Sequence, residues 1–208
     1  KEIKRLALGL LIAAIICGLG LFAVTGLPLL WIGLAGVVCT LLYPVLKFNA
    51  LGDLDILLTF AFLPTLGTSY AATGAIDWNV LLIALPVGLI TDGILHSNNT
   101  RDMLTDKRAG IKTMAMGLGN NVSAWLYGFE VIFPFIWIGV CSITGLMPLT
   151  TLAIFLTLPI AIACAQSMKF SLTGGAGVIA DLDVRTANLQ LLFSLLLTAA
   201  FIVGKFIA

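Results

Sequence analysis

Seven long apolar stretches, separated by short polar or glycine- and proline-bearing segments, set the rhythm of the chain. A helix that crosses hydrocarbon needs about 20 mostly apolar residues. On that measure the spans run Leu6–Thr25, Leu29–Leu46, Leu54–Thr73, Val80–Ser97, Ala124–Ile143, Leu149–Ala165 and Ala187–Phe206. Pro28 and Pro148 stand just ahead of two of them, where a missing amide proton does no harm. Pro64, Pro86, Pro134 and Pro159 fall inside spans and predict kinks, which neighbouring helices accommodate in lipid. The pattern predicts an all-α, polytopic transmembrane helical bundle.

Composition strengthens that picture. Of 208 residues 60% are hydrophobic and 10% charged, against about 25% charged in an ordinary soluble domain. So much hydrocarbon exceeds what one small core can hide, whereas a bilayer solvates it. A net charge of +1 leaves no basic face for neutralising phosphates along a track, so nucleic acid is not expected as a partner. Cys17, Cys39, Cys141 and Cys164 all lie in apolar runs without CxxC spacing, and read as small buried hydrophobes.

Charge then fixes orientation. With the N-terminus placed in the cytoplasm, the connections on that side carry Lys1, Lys4, Arg5, Lys47, Arg101, Lys107, Arg108, Lys112, Lys169 and Arg185, and the far side keeps only Lys205. Ten of the eleven Lys and Arg residues on one face follow the positive-inside bias. The far-side links are brief (Gly26–Pro28, Gly74–Asn79, Gly145–Pro148), while the cytoplasmic ones, Lys47–Asp53, Asn98–Ser123 and Gln166–Thr186, are longer and polar. Function is therefore expected at the cytoplasmic ends.

The stretch from Leu95 to Thr113 is the richest in chemistry. If the fourth helix runs on past the membrane surface, Asn98, Asp102 and Asp106 form one stripe, with neighbouring Cβ atoms about 5–6 Å apart. Two carboxylates one turn apart suit Mg²⁺, which takes one or two carboxylates plus substrate phosphates, and the Asn98 amide adds a neutral ligand. Arg101, Lys107 and Lys112 would meet the remaining phosphate oxygens, and Gly110 would end the helix and let the backbone turn toward the anion. The plainer reading is a solvated loop whose i,i+4 charges balance. That reading must also account for Asn98-Asn99 at a span end, and for Asp92 and His96 one turn apart inside an apolar run, where ionisable groups are costly.

The segment Ile94-Leu95-His96-Ser97-Asn98-Asn99-Thr100-Arg101-Asp102-Met103, followed by Asp106 and Ala109-Gly110-Ile111, resembles the second aspartate-rich motif of the UbiA superfamily of intramembrane prenyltransferases. Within it the likeness is to the menaquinone branch, the 1,4-dihydroxy-2-naphthoate prenyltransferases and animal menaquinone-4 synthases. Leu51-Gly52-Asp53-Leu54 and Arg185-Thr186-Ala187-Asn188-Leu189 are similar to that family's loop before the next span and to the entry to its final helix. The resemblance implies a bundle around a central cavity open to lipid, and Mg²⁺-dependent transfer of an isoprenyl group from its diphosphate to an aromatic quinone precursor. It implies that Asp102 and Asp106 hold Mg²⁺ with Asn98 or Asn99 assisting, that Arg101, Lys107 and Lys112 steady the diphosphate, and that Lys47 and Tyr43 match a Tyr/Lys pair near it.

The same resemblance implies nine spans and an earlier motif of form N-x-x-x-D-x-x-x-D. Here Asn49-x-x-x-Asp53 is followed by Leu57 where the second acid belongs. Residues 1–208 are thus expected to form a single prenyltransferase domain lacking two helices and the first Mg²⁺ motif, and to be inactive alone.

Two other classes compete. A CDP-alcohol phosphotransferase would need Ala-Arg shortly after Asp92-Gly93, where this chain has Leu95-His96-Ser97. A transporter or channel would string Asp92, His96 and Glu130 along a polar path and show paired repeats, which the sequence lacks. His96 is expected to be a hydrogen-bonded packing or cavity residue rather than a metal ligand. Asp181 and Asp183 read as a solvated loop, and Trp31, Trp78 and Trp137 as interfacial or packing residues.

Overall fold

The computed structural model describes residues 2–207, and every regular element among them is helical. Lys1, counted above among the basic residues, lies outside the described residues. Helices α1 (Glu2–Thr25) and α2 (Leu27–Phe48) precede α3 (Gly52–Ile56), which passes through a wider π-type turn at Leu57–Phe62 into α4 (Leu63–Thr73). Then come α5 (Leu81–Arg101), α6 (Met103–Arg108) and α7 (Met114–Ile143). A 3-10 stretch at Leu149–Thr157 leads into α8 (Leu158–Gly174), and α9 (Leu182–Ile207) closes the bundle.

Seven segments are long and apolar enough to cross a membrane, in the order read from the sequence. Their ends differ. The fifth begins at Met114, ten residues before Ala124, and the seventh at Ala176. The polar connections expected as loops are largely helical, because α5 continues to Arg101, α6 follows at once, and α8 continues to Gly174. Polar side chains on helix ends above the hydrocarbon satisfy the composition as well as a loop would.

Proline acts unevenly. The π-type turn lies just ahead of Pro64, and the 3-10 stretch just ahead of Pro159; each change of winding falls where an amide donor is missing. Pro86 and Pro134 instead sit inside continuous helices. The break within α7 is at Gly119 (φ 75°, ψ 164°), not at the predicted Pro134.

The core sits where α5, α7, α8 and α9 cross, around Ile90, Tyr127, Val131, Phe135, Met168 and Phe193. The Phe135 ring meets Phe193 edge-on at 5.4 Å, a geometry the ring quadrupoles favour. At Gly88 an added Cβ would come within 2.6 Å of Ala61 Cβ, so only glycine lets α5 approach the π-type turn this closely. Outside, Leu8, Ile136, Ile143, Leu156 and Leu195 are each more than half exposed, a surface intolerable in water and ordinary in hydrocarbon. The chain is a multi-pass membrane protein.

Two apolar grooves open on the bundle's flanks. One, of about 560 Å³, lies between α7 and α8; the other, of about 760 Å³, lies among α1, α2 and α4. Neither is lined by the Asn98–Asp106 segment.

Candidate functional site

Helix α5 carries the motif to the end of the bundle. It loses regular geometry for one residue at Asp102 (φ −95°, ψ 7°), yet the i→i−4 amide ladder survives: Asp102 N donates to Asn98 O at 3.0 Å and Asp106 N to Asp102 O at 2.8 Å. The stripe of Asn98, Asp102 and Asp106 therefore keeps its one-turn spacing across the α5–α6 junction. Helix α6 ends at Gly110 (φ 73°), where Gly110 N donates to Lys107 O and Ile111 N to Asp106 O. This paired closure needs a residue at ease in the left-handed region.

Arg101 gathers the site. Its Nε and Nη2 donate to the two oxygens of Asp102 at 2.9 and 3.0 Å, and Nη2 also donates to Asn98 Oδ1. From Nη1 it donates to Asp183 Oδ2 at 2.9 Å and to Ala180 O at 3.1 Å. Charge-assisted contacts of this two-pronged kind are among the stronger ones. Asp183 thus corrects the solvated-loop expectation: it is half-buried in the first turn of α9 and is Arg101's ion-pair partner. Sequence spacing could not reveal a partner 82 residues away.

The other predicted residues spread around this centre. Asn99 is buried and Asp106 half-buried, while Lys107 and Lys112 are exposed and make no ion pair among the described residues. Lys47 is half-buried in the last turn of α2, one turn beyond half-buried Tyr43. A Cβ placed on Gly52 would lie 3.5 Å from Lys47 Cα and 3.9 Å from Leu95 Cδ2, so the end of α2 packs beside α5 just ahead of the motif.

A second polar cluster lies deeper. His96 Nδ1 is 2.9 Å from Glu130 Oε1 and its Nε2 is 2.7 Å from Ser123 Oγ, which is in turn 2.7 Å from Thr100 Oγ1. His96 is thus the hydrogen-bonded residue expected; Ser123, in a serine-poor stretch of α7, gave no signal beforehand. Asp53, Asp55, Asp92 and Glu130 are buried, each with one carboxyl oxygen lacking a hydrogen-bond partner among the described residues. Asp53 lies within electrostatic reach of Asp92, His96 and Glu130, and Asp92 within reach of Glu130.

Among the described residues no three His, Cys, Asp or Glu side chains converge as a ready-made metal cage. Two carboxylates and an amide on one helical stripe are instead a partial donor set, of the kind Mg²⁺ completes with phosphate oxygens.

Residues 2–175 match the UbiA prenyltransferase family. The chain is 32% identical over 201 residues to the UbiA prenyltransferase domain-containing protein 1 of Gallus gallus, covering 94% of this chain and 58% of that protein. It is 35% identical over 153 residues to the Homo sapiens protein of the same name, covering 72% and 42%. With the Drosophila melanogaster homologue it shares 43% over 110 residues, covering 51% and 31%. The chain thus matches at most 58% of the length of these relatives.

Proposed function

The chain belongs to the UbiA prenyltransferase family, and on that premise we propose that it takes part in Mg²⁺-dependent transfer of an isoprenyl chain from an isoprenyl diphosphate to an aromatic precursor of a menaquinone-type quinone. The observation that carries this reading is the gathering of Asn98, Asp102 and Asp183 around Arg101, at one end of an apolar bundle.

In this reading the diphosphate lies against Asn98, Asp102 and Asp106, which hold the ion. When bound, Mg²⁺ neutralises the charge that builds on the leaving diphosphate. Arg101 now grips the Asn98 and Asp102 oxygens that the ion would take. It turns to the phosphate oxygens while Asp183 keeps hold of Nη1. Lys107 and Lys112, both exposed, supply further positive charge, Asn99 assists at the diphosphate, and Lys47 with Tyr43 approaches from α2. The allylic C–O bond breaks with its electron pair going to the diphosphate. The electron-rich ring carbon then forms the new C–C bond and loses its proton. A water-poor interior protects the allylic cation in between. We assign the site to the cytoplasmic side, supported by the distribution of basic residues.

The test incubates membranes bearing the full-length protein with Mg²⁺, geranylgeranyl diphosphate and candidate aromatic acceptors. Mass spectrometry should find a prenylated acceptor, absent on chelation and absent with Asp102→Ala. No product with any aromatic acceptor would defeat the proposal.

A further inference from the structure

Glu130 is 1% exposed and His96 fully buried, and both hold costly positions within spans. Donation by His96 Nδ1 to the Glu130 carboxyl leaves Nε2 to accept from the Ser123 hydroxyl, whose oxygen then accepts from Thr100. This polarity satisfies the whole chain, as does its reverse with a protonated Glu130 donating to Nδ1; in either, the Glu130 contact fixes the imidazole tautomer and ring orientation.

Thr100 departs from the commoner pattern. Thr25, Thr40 and Thr91 each bond the carbonyl four residues back in their own helix, the usual outlet for a helical hydroxyl, while Thr150 and Thr186 also reach groups on other helices. Thr100 instead reaches sideways to Ser123 on α7. It directly precedes Arg101, so the last turn of α5 is pinned to α7 immediately before the side chain that collects Asn98, Asp102 and Asp183.

We propose that Glu130 is a positioning residue, acting through His96, Ser123 and Thr100 to set the rotation of the last turn of α5 and so the geometry of the diphosphate clasp. The inference rests on the reading of Asn98–Asp106 as a diphosphate site. Partners one step removed from a metal site change its affinity by roughly 10–100-fold when lost; Glu130 acts through three further side chains, so its effect is expected at the lower end of that range.

The experiment titrates inorganic pyrophosphate, in the presence of Mg²⁺, into the complete protein in lipid nanodiscs. Prenyl transfer and thermal midpoints are followed in parallel. Glu130→Leu and Ser123→Ala should each weaken pyrophosphate binding about tenfold and leave the acceptor KM unchanged. Glu130→Gln, whose amide oxygen still accepts from Nδ1, should stay near the parent value. Unchanged pyrophosphate affinity in folded Glu130→Leu overturns the proposal, as does an equal loss in the Leu and Gln variants or an equal rise in acceptor KM. Should Glu130→Leu fail to fold, Ser123→Ala decides, since it removes a single oxygen. Disturbed pyrophosphate binding without any prenylated product would sink the reaction and leave this inference standing. A parent protein that binds no pyrophosphate would sink both.

Discussion

Arg101 Nη1 lies 2.9 Å from Asp183 Oδ2, tying the end of α5 to the first turn of α9. Both side chains are 25% exposed, so the pair contributes less than about 1 kcal/mol to stability, and its value lies in aiming the guanidinium. Asp183→Ala should therefore leave the thermal midpoint nearly unchanged while raising the KM for isoprenyl diphosphate roughly tenfold, as loss of an orienting partner does. Steady-state kinetics at saturating acceptor would check it, and an unchanged KM would remove Asp183 from the site.

Asp102→Asn and Asp106→Asn keep shape but remove a negative charge, and at position 102 the amide nitrogen can no longer accept one of the two Arg101 bonds. Each should lower product formation by about a hundredfold or more, the scale on which loss of one preorganised charge-stabilising group is felt. The Mg²⁺ concentration for half-maximal rate should also rise. A Mg²⁺ titration of membrane-bound enzyme reads both effects. Equal Mg²⁺ dependence in parent and variants would mean that these carboxylates do not hold the ion.

Gly110 gives a graded test of the helix end. At φ 73° an L-residue pays about 1 kcal/mol or more, and asparagine less than alanine or valine. Activity should fall in the order Gly, Asn, Ala, Val, because the closure at Gly110 also holds the Asp106 carbonyl. A flat series would show that the α6 end does not govern the site.

At Gly88 the outcome is structural. Gly88→Ala puts a methyl within 2.6 Å of Ala61 Cβ; overpacking of this kind destabilises by about 1–3 kcal/mol, outweighing the roughly 1 kcal/mol of helix propensity that alanine brings. Adding Ala61→Gly should recover most of the loss. Thermal unfolding of the single and double variants in detergent provides the reading.

The seven spans were legible because hydrocarbon thickness imposes one length on every crossing. The one-turn spacing of Asn98, Asp102 and Asp106 was legible too, since helical periodicity is local. Asp183 was not, because an ion pair across 82 residues leaves no trace in spacing. Ser123 escaped for a similar reason: a serine just ahead of the span start read at Ala124 looks alike whether it faces solvent or His96. The irregularity at Pro64 was foreseen as a kink but not its π-type winding, and the break at Gly119 went unforeseen. Proline and glycine mark where winding can change, and only the packing around them decides whether it does.

Arg101 delivers three nitrogens to acceptors on four residues: Asn98, Asp102, Ala180 and Asp183. Lysine would bring the same charge on a single nitrogen at the end of a flexible stem, unable to span two helices at once. The position is thus specified by planarity and the angles between its donors, and swapping one cation for another there would leave the formal charge unchanged while dismantling the corner it holds together.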